Sequence, residues 1–215
     1  MPNSFLDHIT VTAPSLDVGA AFVAETLGVW PQIGGAHPLM ATHNLLLRLG
    51  EEVFLEVIAA NPAVPPPGRP RWFGLDQLEA SSRPALRAWV ARTPAIHATR
   101  AAATERLGEI ETLSRGARTW LMTVPADGAL VLAGAAPALI EWSAGHAHPA
   151  AGLDDQGLSL QALVVIHPEP ARLARLYASL ALSAPVSVRA ALPGEPAHGL
   201  VAEISTPQGI RRLSI

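Results

Sequence analysis

An α+β fold built from repeated β-α-β-β-β units is the class this sequence predicts, on three observations. A strand–proline–helix–glycine pattern occurs twice, as FLDHITVTAPSLDVGAAFVAETLG and ALRAWVARTPAIHATRAAATERLG, and one constant offset carries both Pro14 onto Pro94 and Gly28 onto Gly108. A third copy begins with LSLQALVVIHPEPARLARLYASLAL, where Pro168 follows Pro94 at a slightly shorter offset. Each copy is followed by short apolar runs broken by turn residues. Self-similarity of this kind is a stronger organising signal than any single element.

In the first unit, residues 5–12 alternate and carry β-branched side chains, as a half-buried strand does. Pro14, Ser15 and Asp17 then open a helix over residues 16–27, which Gly28 stops. Gly34 and Gly35 read as a loop, with a short strand near residues 38–42. Residues 43–49 and 53–59 read as two further strands around a turn at Gly50-Glu51. The stretch NPAVPPPGRP, ending at Pro70, is a stiff, extended connector, and RWFGLDQL after it is a short amphipathic piece. The second unit predicts strands near 110–114, 118–124, 129–133 and 138–143. In the third, Leu173, Leu176 and Leu180 mark the buried face of a helix, and strands follow at 186–191, 199–205 and 209–215.

Composition narrows the chemistry. At 215 residues, 49% hydrophobic and 15% charged, the chain is long enough and apolar enough for a proper core. A net charge of -3 without a basic block argues against nucleic-acid binding. No apolar run reaches a membrane span, and the N-terminal stretch lacks a signal-peptide pattern, so a soluble, cytoplasmic protein is expected. The chain has no cysteine, and all fifteen basic residues are arginine. Thiolate nucleophiles and lysine Schiff bases are therefore excluded. No glycine-rich phosphate loop stands out, so no nucleotide cofactor is expected.

Glu56 is the sharpest single residue. In VFLEVIAANP, Phe54, Glu56 and Ile58 share one face of the strand, and Val53, Leu55 and Val57 the other. A carboxylate buried between two apolar faces is costly unless it is neutralised. A metal, an arginine such as Arg48 or Arg118, or a proton could do this, and the last would make Glu56 a general acid or base. By alternation His8 shares its face with Leu6, Thr10 and Thr12, away from Ile9 and Val11. It is either a hydrogen-bonded structural histidine or a ligand. His37, His43 and Asn44 precede Glu56 and are candidates for substrate binding, as are Trp72 and Trp142 at a cleft edge; the two histidines read equally as turn or surface residues, and the tryptophans as core packing. Arg71 could take an acidic group. His146 and His148, two apart, read as a polar turn, and His97, His167 and His198 as structural.

Repeated β-α-β-β-β modules, with His8 in a first strand and Glu56 in a last, resemble the vicinal oxygen chelate superfamily. The likeness is greatest to its glyoxalase-like domain branch, within the glyoxalase, bleomycin resistance and dioxygenase fold. DHITVTAPSLD, GGAHPLMATHNLLLRLG, VFLEVIAANP, RWFGLDQL and LIEWSAGHAHP carry the resemblance over about residues 5–150. It implies two modules, 1–60 and 84–145, joined by the proline-rich linker 61–71 and forming a half-open, curled sheet within a domain of residues 1–150. Residues 151–215 would form a shorter third module with a structural role, covering a sheet edge or pairing with another subunit in a homodimer.

The resemblance also implies a divalent metal in the cleft, with His8, Glu56 and Glu141 as ligands. One histidine and two carboxylates suit Zn, Ni, Mn or Fe with positions left open for a chelating substrate. The offset that relates the two prolines carries His8 onto Ala88, where a fourth ligand would come, so the set is incomplete. Metal-assisted isomerase or lyase chemistry on a small oxygen-rich substrate is the first expectation, with Glu56 and Glu141 catalytic. A ring-cleaving dioxygenase and a metal-free, resistance-type binding protein are the alternatives.

Overall fold

The computed structural model describes residues 3–116, 118–145, 147–183 and 185–214. The first unit comprises β1 (Phe5–Thr12), α1 (Leu16–Leu27), β2 (Gln32–His37), β3 (Thr42–Arg48) and β4 (Phe54–Ala60). The second comprises β5 (Ala85–Arg92), α2 (Ile96–Ala102), β6 (Glu109–Arg115), β7 (Arg118–Val124) and β8 (Ala138–Trp142). The third comprises β9 (Ser159–Ile166), α3 (Pro170–Ser179), β10 (Val186–Arg189), β11 (Gly199–Thr206) and β12 (Gly209–Leu213). No helix among the described residues is long and apolar enough to cross a membrane.

Local chemistry explains the first unit. Ser15 caps α1 by accepting from the Val18 amide at 3.3 Å, and Gly28 closes it in the left-handed region at φ 80°. The backbone of α1 lies close on the sheet at Gly19, where a Cβ would meet Val57 Cγ1 at 2.4 Å. Two expectations change. Gly34 and Gly35 lie within β2, and residues 38–40 form a 3₁₀ turn, so the short strand ends where it was expected to begin. Residues 129–133 are not a strand. A 3₁₀ segment over Val131–Gly134 replaces it, with Leu132 and Ala133 both at positive φ.

The first two units form one eight-stranded sheet in the order β2-β3-β4-β1-β5-β8-β7-β6. The pairing of β1 with β5 carries a pseudo-two-fold axis. Phe5 pairs with Arg92 and Thr12 with Ala85; Leu6 pairs with Ala91 and Val11 with Leu86; His8 pairs with Val90 and Thr10 with Ala88. The offset between the two prolines turns each of these pairs into its mate. The axis passes through the pair Ile9↔Trp89, whose members are related by that same offset. The register breaks after Leu6 and again after Thr10, which leaves Asp7 on β1 and Arg87 on β5 as the unpaired bulge residues, themselves equivalent in the repeat.

The bulge at Asp7 resets the alternation of β1. Leu6, Ile9 and Val11 pack into the main core, whereas Asp7, His8 and Thr10 face the cleft. Leu6 is therefore not on the face of His8, as strict alternation implied. The sheet curls until its edge strands approach: a Cβ on Gly35 of β2 would meet Arg115 Cδ of β6 at 2.5 Å.

The C-terminal unit keeps the β-α-β-β-β element order but pairs its strands as β10-β9-β11-β12, with β10 parallel to β9. In the first unit the strand after the helix lies at the far edge instead. This second sheet covers the convex side of the first. Leu163, Val165, Leu176 and Ile204 share one continuous core with Leu6, Ile9, Val11 and Leu86. Tyr177 meets Trp89 edge-on at 5.6 Å and donates to the Ala135 carbonyl at 2.7 Å, which satisfies a hydroxyl that burial would otherwise strand.

Candidate active site in the concave face

The concave face holds a small, partly open cavity. One wall is polar and comes from the first unit: His8 on β1, His37 at the end of β2, Asn44 on β3 and Glu56 on β4. The opposite wall is mostly apolar and comes from the second unit and the linker, with Trp72, Trp120, Met122, Ile140 and Trp142.

Glu56 is buried, and its partners lie on its own module. Asn44 Nδ2 donates to Oε1 at 2.6 Å, Thr10 Oγ1 donates to Oε2 at 3.4 Å, and His8 Nε2 stands 3.7 Å from Oε2. The Asn44 amide is oriented from behind, because its Oδ1 accepts from the Gly35 amide at 2.8 Å and from Arg115 Nη1 at 3.3 Å. An oxygen already accepting two bonds leaves the NH₂ end to face Glu56. The glycines of β2 make this possible: a Cβ on Gly34 would overlap Asn44 Oδ1 at 2.1 Å. Arg48 and Arg118 turn away, to the carbonyls of Gly50 and Ala147. The guanidinium in the field of Glu56 is that of Arg115, whose pKa burial lowers and Glu56 pulls back up.

Behind His8 stands Asp7, fully buried. Its Oδ1 accepts from His8 Nδ1 at 2.6 Å, and its Oδ2 accepts from Trp142 Nε1 at 2.8 Å and from His148 Nε2 at 3.0 Å. Neighbouring residues in a regular strand point to opposite faces; only the bulge lets Asp7 and His8 meet. Burial alone would raise the Asp7 pKa. The hydrogen bonds from His148 and His8, and then their charges, outweigh it and hold the carboxyl well below the usual carboxylate range. An ionised carboxylate only accepts, so His8 Nδ1 carries a hydrogen, and Nε2 is the ring nitrogen turned toward Glu56. His148 is fixed from the other side, its Nδ1 accepting from the Ala150 amide at 3.2 Å. Phe54 stacks on His8 at 4.5 Å between ring centroids and holds the ring plane.

His37 Nδ1 lies 3.1 Å from Thr42 Oγ1, and its Nε2 faces the Asn44 amide at 3.5 Å. Burial pushes its pKa down to about 4; Glu56 opposes this, and Arg115 adds to it. At neutral pH the ring is therefore an uncharged hydrogen-bonding group.

Two expected residues lie elsewhere. His43 alternates to the other face of β3, toward Asp17 of α1, and burial lowers its pKa. Glu141 faces the back of β8, where Oε2 accepts from the Ile96 amide at 2.6 Å and caps α2. The pairing explains the misplacement. β1–β4 matches Thr10 with Glu56, and β5–β8 matches Val90 with Ala138, so the counterpart of Glu56 is Ala138 and not Glu141. Glu141 lies three positions further on, and an odd offset selects the opposite face. Both second-unit counterparts of the His8–Glu56 pair are thus alanines, Ala88 and Ala138. His146 lies outside the described residues.

The residues present do not fit the divalent metal that the resemblance implied. His8 and Glu56 converge, Glu141 does not join them, and methyl groups occupy the remaining positions. Among the described residues, no group of three or more His, Cys, Asp or Glu is arranged to hold a metal ion. Asp7, Arg115 and Trp120 are not singled out by the sequence, and His148, read there as part of a polar turn, is a hydrogen-bond partner of Asp7. Asp7 is hidden by the bulge, and the other three reach the site through pairings that no local pattern encodes.

Two β-α-β-β-β modules meeting edge to edge around a shared cleft define a paired-module protein of the vicinal oxygen chelate type. The chain belongs to the glyoxalase-like domain family, whose model matches residues 6–181. No curated protein sequence matches it. Among solved structures it is similar to a hypothetical protein from Staphylococcus aureus, at 13% identity and a TM-score of 0.56, over 99% of this chain and 85% of that one. It is also similar to a Mn(II)-bound glyoxalase from Novosphingobium aromaticivorans, at 10% identity and a TM-score of 0.52, over 100% of this chain and 83% of that one. A Streptomyces coelicolor methylmalonyl-CoA epimerase in complex with 2-nitronate-propionyl-CoA is matched at 14% identity and a TM-score of 0.43, over 67% and 100% of the respective chains. At these identities the likeness is one of fold.

Proposed function

We propose that the chain is an isomerase or lyase that moves a proton on a small, oxygen-rich, anionic substrate, with Glu56 as the base and His8 as its relay. The observation that carries this reading is the buried row Asp7–His8–Glu56, in which His8 Nδ1 is 2.6 Å from Asp7 and Nε2 is 3.7 Å from Glu56. Two acid–base groups side by side on one wall can accept a proton at one substrate atom and return it at the next. Glu56 takes a proton from the carbon beside a carbonyl. The C–H electron pair moves onto the oxygen as an enolate, whose negative charge Arg115 balances. His8 Nε2 then takes that proton from Glu56 and delivers it to the adjacent position, which leaves Glu56 a carboxylate and His8 as it began. Asp7 is a positioning residue that fixes the His8 tautomer, and Asn44 positions Glu56. The indoles of Trp72, Trp120 and Trp142 keep water out, which strengthens each charge interaction inside.

The test is solvent-proton exchange. The protein is incubated in D₂O with a panel of small 2-oxo and 2-hydroxy acids, and deuterium incorporation is followed by NMR. Exchange with at least one acid is expected, falling at least 100-fold in Glu56→Gln while urea unfolding shows the variant folded. Exchange in Glu56→Gln at the parent rate would overturn the assignment. The three-tryptophan wall favours a second reading, a binding protein that holds an aromatic or amphipathic compound without turnover. It predicts ligand-induced thermal stabilisation with no exchange.

A further inference from the structure

A second small cavity abuts the first; the two share Trp72, Phe73 and Met122 in their linings. Ala88 and Ala138 line it, the residues that occupy on β5 and β8 the positions of His8 and Glu56 on β1 and β4. The pseudo-two-fold axis therefore relates the two cavities. One half of the cleft carries ionisable groups, and the other carries methyl groups at the same positions, with Leu107, Val124 and Leu130 around them.

Between the halves stands Trp72, which lines both, is 4% exposed and has no hydrogen-bond partner for its Nε1 among the described residues. A buried indole N–H without an acceptor is unusual, and turning this ring breaks no hydrogen bond. The segment carrying it is anchored on both sides, by Arg71 Nε on the Ala41 carbonyl at 3.3 Å and by the Gly74 amide on the Gly128 carbonyl at 2.8 Å. Left-handed non-glycine backbone occurs at Phe73 (φ 57°), which lines the second cavity, and at Leu132 and Ala133 (φ 49° and 55°), which follow Val131 of that lining in the chain. Strain of this kind collects at ligand clamps.

We propose that the substrate is an amphipathic acid, whose oxygen-rich, anionic head lies against Arg115, Asn44 and Glu56 and whose unbranched apolar tail passes Trp72 into the alanine-lined half. This rests on the reading above for which end of the substrate lies beside Glu56. The tail is excluded from the polar half by the cost of burying Glu56 and His8 against methylenes, and the anionic head from the apolar half by the lack of any charged side chain in its lining.

Isothermal titration of straight-chain 2-oxo acids, from 2-oxobutanoate to 2-oxooctanoate, into the Glu56→Gln protein tests this without turnover. Kd is expected to fall about threefold to fourfold for each added methylene. Ala88→Leu and Ala138→Val, each made in the same background, fill the apolar half and are expected to flatten that dependence. Trp72→Ala joins the halves, so it is expected to keep the slope. A Kd independent of chain length overturns the proposal, as does an equal slope in the parent and in both filled variants. Proton exchange plays no part in the readout. Loss of the chain-length dependence with exchange intact therefore sinks this proposal alone, and the converse sinks only the acid–base reading.

Discussion

Replacing Asp7 with asparagine changes one atom and tests the logic of the site. The carboxylate accepts three hydrogen bonds, one at Oδ1 from His8 and two at Oδ2 from Trp142 and His148. An amide has one accepting oxygen. If that oxygen keeps the Oδ2 place, the NH₂ group faces the N–H of His8, donor against donor. The conflict is relieved only if the hydrogen of His8 moves to Nε2, leaving Nδ1 to accept. Hydrogen bonds to a charged partner contribute about 1.5–3 kcal/mol each. Losing the His8 bond and weakening the other two should cost about 2–4 kcal/mol. With a urea m-value of about 2–3 kcal/mol/M, that lowers the unfolding midpoint by roughly 1 M. Urea titration measures the loss, and two-bond ¹H–¹⁵N correlation spectra of the imidazoles report the tautomer. A midpoint within about 0.2 M of the parent, with the His8 hydrogen still on Nδ1, would refute the network described above.

Acid should destabilise the fold in two stages. His37 is held at about 4 against an ordinary value of 6.5, so the unfolded chain binds more protons than the folded one between these values, and stability falls as pH drops through that window. Complete protonation is linked to a loss of about 3 kcal/mol, and His37→Gln should flatten the curve between pH 6.5 and 4 in chemical denaturation. Asp7, with its pKa depressed, adds a further loss below its ordinary value near 3.8. Glu141→Gln, which weakens the cap on α2, should cost about 0.5–1 kcal/mol in thermal unfolding and leave acid binding in the concave cavity unchanged. Gly35→Ala forces Arg115 off its path across β2 and should weaken binding of small 2-oxo acids about threefold to tenfold by calorimetry, through loss of a guanidinium contact.

Most of the fold is legible in the chain, because periodicity and turn chemistry are local. β1 and α1 lie where alternation and the Ser15–Gly28 caps put them. The strand expected at 129–133 fails because apolar character alone does not separate a strand from a buried turn. Half of the site is legible as well. Glu56 stands out as a carboxylate in an apolar strand, and His8, His37 and Asn44 do line the cavity with it. The rest depends on pairing register. Glu141 looks equivalent to Glu56 until β5–β8 pairing shifts the match to Ala138, and His43 lies one residue out of phase with Asn44. Asp7 is invisible to alternation, since an inserted residue in β1 sets it beside His8.

In the proposed binding mode, the loss of symmetry in the cleft also bears on handedness. A basin with equal halves would accept a chiral guest in two interchangeable poses, each baring a different side to the reacting groups. Stripping one half down to Ala88 and Ala138 removes the second pose. In the proposed binding mode, a guest whose tail lies beside Ala88 and Ala138 would turn one prochiral side toward His8 and Glu56, so the duplicated scaffold would gain stereochemical memory by giving up functionality on one side.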